Sequence, residues 1–204
     1  MLQGELVGHY RKTAEREKAM ASAEQALALL DRLDFTGTIS AGTTYVNIAT
    51  AMSASGENAR ALELFEKART LYEGSEYTRP ELLGGLYNNM ALCCSALGDH
   101  DRALALYEKA MTSMAKVPGG ALEQAITCLN MANLVEDRDG MEAGEARIFD
   151  LLDRAAALLS GPQLPRDGYY AFVCEKCAPT FEYYGWFADA ERLREEAERI
   201  YAGA

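Results

Sequence analysis

The residues best able to do chemistry in this chain are five cysteines, two histidines and several asparagines that precede small residues. Cys174 and Cys177 form the motif CEKC, a spacing used by zinc sites and redox pairs. A closed zinc site needs four ligands, however, and Cys93, Cys94, Cys128, His9 and His100 are scattered along the sequence. No glycine-rich phosphate loop, HExxH pair or nucleophile elbow occurs. Two histidines in unrelated contexts give Ser-His-Asp or Cys-His catalysis nothing to rest on. The expectation is a non-enzymatic protein with no cofactor, a cysteine-based metal or redox site being the lesser alternative. The asparagines offer a different chemistry, because an amide both donates and accepts and so grips a peptide backbone whatever its side chains.

What must position these groups is a repeat. "YVNIATAMSASGENARALELFEKA" (45 to 68) lies over "YNNMALCCSALGDHDRALALYEKA" (87 to 110) without a gap, at an offset of 42 residues. Tyr45 falls on Tyr87, Asn47 on Asn89, Ala49 on Ala91, Gly56 on Gly98, Ala61 on Ala103 and Ala68 on Ala110. A third copy runs from Cys128 through Asn130 and Ala132 to Ala155. It carries about four extra residues around "EDRDGMEAGE", and Ile148 replaces an alanine. A fourth copy runs from Cys174 through Ala178, Gly185 and Ala190 to Ala197, while Ala19 and Ala26 look like half of a degenerate first unit whose other half is Leu2 to Tyr10.

Each copy reads as two amphipathic helices around a glycine turn. Leu83, Leu86, Tyr87, Met90, Ala91, Cys94 and Leu97 recur at helical spacing, and Ala103, Leu106, Tyr107 and Ala110 do so after Gly98-Asp99. The glycine supplies the left-handed residue that ends one helix, and Asp99 accepts from the amides that open the next. Breakers separate the copies at "TGTISAG" (36 to 42), "EGSEYTRPE" (73 to 81), "KVPGGA" (116 to 121) and "SGPQLPRDG" (160 to 168). Pro80 suits a first helical turn.

These residues resemble the tetratricopeptide repeat. The 42-residue period, the Asn-x-Ala signature and "GDHDRALALYEKA" are most similar to the kinesin light chain type of that family. The resemblance implies an all-α, right-handed α-α superhelix, a solenoid of about four helical hairpins plus an N-terminal cap. On that reading 1–204 is one array: a cap over 1–40 and repeats over 41–79, 80–120, 121–165 and 166–204. It also implies that first helices line a concave groove and that the column of Asn47, Asn89 and Asn130 contacts an extended peptide, with Asn88 and Asn133 in neighbouring columns. At 100° per residue, each column asparagine points about 200° away from the alanine two residues later. Those amides could instead bond adjacent helices and fix repeat stacking. By the same mapping CEKC loses its promise, since Cys128 and Cys174 stand in the column of Tyr45 and Tyr87, and Cys177 in that of Ile48 and Met90. They read as small core hydrophobes.

Charge bounds the partner. The 204 residues carry a formal charge of -11, and the isoelectric point lies near 4.7. Such a field opposes nucleic acid and anionic membrane surfaces. The groove columns hold Thr50, Ser53, Leu92, Ser95, Glu136, Asp137, Glu175 and Glu182, with Lys176 the one cation, so a neutral or basic protein segment is expected. The dense "FEYYGWF" run (181 to 187) suggests that Trp186 and Phe187 form an exposed patch, through which a homodimer could form at the C-terminal end. No basic leader with an apolar core opens the sequence, and no apolar run approaches the roughly 20 residues that span a bilayer. An odd cysteine count is unlike a secreted disulfide framework, so a cytoplasmic protein is expected.

Overall fold

The computed structural model describes residues 16–32 and 36–203, and every regular element among them is an α-helix. In chain order they are α1 (Arg16–Arg32), α2 (Ile39–Ala54), α3 (Asn58–Glu73), α4 (Pro80–Ala96), α5 (His100–Met114), α6 (Ala121–Asp139), α7 (Met141–Leu159), α8 (Gly168–Tyr183) and α9 (Phe187–Ala202). The chain divides within α5 into two compact units, Met1–Lys109 and Ala110–Ala204. In the first, α1 packs on α2, α2 on α3 and α3 on α4; in the second, α6 pairs with α7 and α8 with α9, and α6 also meets α8. Leu2 to Tyr10, expected to start the cap, lie outside the described residues; α1 supplies the rest, burying Ala23 and Ala26.

Three of the hairpin turns are built alike. Gly56, Gly98 and Gly185 adopt φ of 83°, 79° and 84°. The residue after each glycine returns its N–H to a carbonyl five positions back: Glu57 to Met52 at 3.0 Å, Asp99 to Cys94 at 2.9 Å and Trp186 to Phe181 at 2.8 Å. The glycine N–H takes the carbonyl three positions back, so carbonyls orphaned at the helix end are satisfied within the turn. Asp99 then accepts from the Arg102 N–H at 3.3 Å, opening α5 as expected. Pro80 opens α4.

The fourth turn differs. Gly140 stands alone between α6 and α7 with φ 79° and ψ 162°, a backbone region almost closed to other residues. Both flanking helices run to 19 residues, against 16 for α2 and α3, so the extra residues of the third copy lengthen its helices instead of forming a loop. That extension moves the tight helix crossing. A Cβ on Gly144 would come within 2.8 Å of Val135 Cγ1, so Gly144 takes the part that an alanine plays elsewhere, while Ile148 is fully buried.

The core follows the repeat columns. Ala49, Ala91, Ala132 and Ala178 in the first helices, and Ala61, Ala103 and Ala190 in the second, are all buried, as are Ala68, Ala110, Ala155 and Ala197. Helices approach closely only over such small side chains. Phe65, Tyr107 and Phe181 are buried beside them, whereas Phe149 is only half-buried. The breaker at 36 to 42 is shorter than its residues suggest. α2 already begins at Ile39, because the Thr38 hydroxyl accepts from the Ala41 N–H at 3.0 Å, and Gly42 is helical and lies beneath the Tyr72 ring. A Cβ there would sit 2.6 Å from Tyr72 Cε1.

Candidate functional site

The cysteines belong to the core. All five are free and buried. Burial pushes the Cys128 thiol up to about 11 and the Cys177 thiol to about 12, and it also raises Cys93, Cys94 and Cys174. A thiol held neutral is neither a good nucleophile nor a ready metal ligand. Among the described residues no group of three or more His, Cys, Asp or Glu is placed to hold a metal.

In each unit the candidate site is a helix face. On a helix, residues seven and four before and three and seven after a given position share its side. Around the asparagine column this gives Ser40, Thr43, Asn47, Thr50 and Ala54 on α2, and Leu82, Gly85, Asn89, Leu92 and Ala96 on α4. On α6 the same positions are Glu123, Ile126, Asn130, Asn133 and Asp137, and on α8 they are Tyr169, Phe172, Lys176, Pro179 and Tyr183. None of these twenty residues is buried. Each first helix therefore carries its alanine toward the core and this stripe away from it.

In the first unit the stripe is mostly small and polar, with Leu82 and the exposed Leu92 its two apolar residues. Asn47 and Asn89 are half-buried, and among the described residues no side-chain hydrogen bond engages either amide. Thr43 Oγ1 lies 2.9 Å from the Tyr72 hydroxyl, and the Thr50 hydroxyl donates to the Val46 carbonyl at 2.7 Å. Gly85 opens onto empty space, with nothing within 4 Å of where a Cβ would stand. Asn88 and Asn130, by contrast, are already engaged within the protein. The asparagines thus fall into two classes, and only Asn47 and Asn89 keep their amides available.

In the second unit the stripe is aromatic and charged. Tyr169, Phe172 and Tyr183 expose 47%, 45% and 69% of their surface. The Tyr169 ring stacks on Phe172 with centroids 6.3 Å apart, and Lys176 Nζ stands 5.6 Å from the centre of the Phe172 ring. Tyrosine hydroxyls tie α8 and its end to α6. Tyr169 donates to Glu123, Tyr183 to Glu136 Oε1 at 2.9 Å, and Tyr184 to Glu136 Oε2 at 2.7 Å, with Asn133 Oδ1 3.0 Å from the Tyr184 hydroxyl. Burial, and then the neighbouring carboxylate, hold the Tyr169 and Tyr184 phenols far above their ordinary range, so both remain donors at any physiological pH. The flanking carboxylates are spoken for: Glu182 pairs with Arg194, and Glu175 accepts from the Tyr201 hydroxyl at 3.0 Å.

Sequence reasoning located Asn133 and Lys176 on this stripe but passed over Tyr169, Phe172 and Glu123. Projecting the column seven and four residues upstream from Asn130 and Lys176 would have found them. It also expected Trp186 to be exposed. Trp186 is half-buried with its ring edge against Phe149, centroids 4.7 Å apart, and Phe187 alone of that pair stands out, at 67% exposure.

Residues 82–141 match the family model described as tetratricopeptide repeat, ending one residue past the Gly140 turn where the repeat lengthens. No functionally curated protein matches the sequence. Among solved structures, the kinesin light chain nearly identical TPR-like repeats of a Podosopora anserina protein are 19% identical, with a TM-score of 0.65, covering 98% of this chain and 94% of that one. A variant of the same repeats also gives 19% identity and a TM-score of 0.65, covering 98% of this chain and 93% of that one. Residues 82–141 thus carry tetratricopeptide repeat sequence, and the fold of the chain is like that of the kinesin light chain TPR-like repeats.

Proposed function

We propose that the protein is a non-enzymatic scaffold that holds an extended protein segment against the outward stripes of its first helices. The observation that carries this reading is the pair Asn47 and Asn89, at the same repeat position on α2 and α4, half-buried yet with no side-chain partner among the described residues. An amide that has lost part of its water and gained no bond is poised for a backbone carbonyl and N–H. Asn133 and Lys176, and Asn130 and Asn88 beside their existing partners, complete the candidate contacts. The formal charge of -11 favours a neutral or basic segment over nucleic acid or an anionic membrane, and no described helix is long and apolar enough to cross a bilayer. Five thiols left unpaired suit a reducing cytoplasm.

The test is a double variant, Asn47→Ala with Asn89→Ala, assayed against partners captured from the native cell and identified by mass spectrometry. Affinity for a genuine partner should fall on the order of tenfold, the worth of two amide–backbone contacts. The melting temperature should stay within about 2 °C of the parent. A drop of several degrees with affinity unchanged would make these amides structural.

A further inference from the structure

We infer that the α6–α8 face of the second unit is a recognition surface for arginine side chains, so that the segment held there is an arginine-bearing one. The inference rests on the scaffold reading and names the chemistry of its partner. Two features of this face point the same way. The first is aromatic: Phe172, Tyr169 and Tyr183 stand open to solvent on the outer side of α8. Ring faces attract cations, and an arginine plane stacks on them as well.

The second feature is an imbalance of charge. Glu123 and Glu136 accept bonds from tyrosine hydroxyls, which leave their charge intact, and among the described residues no cation pairs with Glu123, Glu136 or Asp137. Elsewhere in the unit Glu182 has Arg194, Glu196 has Arg166 at 3.2 Å and Asp189 has Arg192 at 3.0 Å. Glu175 on α8, like the three acids above, has no cation among the described residues. What sets Glu123 and Glu136 apart is the exposed ring beside each. On α6 and α8, then, a carboxylate and a ring edge stand side by side twice, at Tyr169–Glu123 and at Tyr183–Glu136. A guanidinium fits such a pair, with its plane on the ring and its N–H fork on the remaining carboxylate lone pairs.

Lys176 supplies the internal control. Its ammonium already sits over Phe172, so that ring accepts a cation, and the occupant is one of the protein's own. An incoming arginine would have to displace Lys176 and would be repelled by it. An acidic partner would instead depend on Lys176, so the sign of its effect separates the two.

The experiment uses the full chain and fluorescein-labelled twelve-residue Gly/Ser peptides that carry three arginines, three citrullines, three lysines or three glutamates, read by fluorescence anisotropy at fixed salt. The arginine peptide should bind at least tenfold more tightly than its citrulline counterpart, and more tightly than the lysine peptide. Phe172→Ala and Tyr183→Ala should each weaken it about two- to fivefold, the scale of an exposed cation–ring contact. Lys176→Met should strengthen it, a gain that misfolding cannot produce. Equal binding of arginine and lysine peptides with no response to Phe172→Ala, preference for the glutamate peptide, or weakening by Lys176→Met would each overturn the inference. The two readings fail separately. A captured partner that needs Asn47 and Asn89 but ignores Phe172 leaves the scaffold intact and removes the arginine site.

Discussion

The outward stripe of α2 and α4 and that of α6 and α8 occupy the same positions of the same repeat, yet they share almost no chemistry. The first presents serine, threonines, alanines, two leucines, two free amides and a glycine; the second presents three open rings, a lysine, two amides and two carboxylates, Glu123 and Asp137, without cations among the described residues. Groups of the first kind suit a backbone, which every segment has. Groups of the second kind suit side chains. On the scaffold reading proposed above, the repeat fixes where a partner is touched and leaves open what is recognised there, because the buried alanine columns are alike in both units while the stripes are not.

The largest effect should come from testing whether the two units are structurally equivalent beneath those stripes. Ala91→Leu in α4 and Ala132→Leu in α6 each force a larger side chain into a fully buried position. Each should cost about 1–3 kcal/mol, visible as a lower thermal midpoint. Similar losses would sharpen the comparison, and a mild effect at one of the two would break it.

A smaller effect should separate the stripes themselves. Tyr184→Phe removes the hydroxyl that bonds Glu136 beside Asn133, a partly enclosed contact to a charged group, and should cost about 1–2 kcal/mol in urea denaturation. Tyr183→Phe removes a similar bond from an exposed ring and should cost much less. If the two variants are alike, the tyrosine–carboxylate ties do not hold α8 to α6.

The smallest effect lies in the first unit and in alkali. Burial, then the bond to Glu73, push the Tyr87 phenol up to about 12 from its ordinary 10.0. The folded protein therefore holds that proton more tightly than the unfolded chain does. Its contribution is full below pH 10 and is lost as pH rises through 12. Between those values the melting temperature should fall more steeply for the parent than for Tyr87→Phe, and parallel curves would rule the phenol out.

Much of the fold was legible because its strongest constraints repeat. A buried alanine where two helices touch and a glycine at a left-handed turn admit few substitutes, so Ala49, Ala91 and Ala132, or Gly56, Gly98 and Gly185, announce themselves as columns. The third copy was harder to place, because lengthening both helices by almost a turn moved the close crossing from an alanine to Gly144, four residues ahead of Ile148. The site was legible only as a column. Which amides are free depends on neighbours in space, so Asn130 could not be told from Asn47 and Asn89 by spacing. Tyr169, Phe172 and Tyr183 recur nowhere else in the array, since nothing in the packing requires them. The bonds of Tyr169 to Glu123 and of Tyr183 to Glu136 span 46 and 47 residues, and only the pairing of α6 with α8 brings those partners together.

Gly85 carries a consequence for how such a protein can change. It holds on α4 the position that Phe172 holds on α8, and a Cβ added there would have nothing within 4 Å. Glycine inside a helix is a weak spot, worth roughly 0.5–1 kcal/mol less than alanine. Almost any replacement would therefore firm the helix while rewriting what the stripe can grip. Stability and specificity are uncoupled at that one residue, which makes it the natural handle for grafting the second unit's chemistry onto the first.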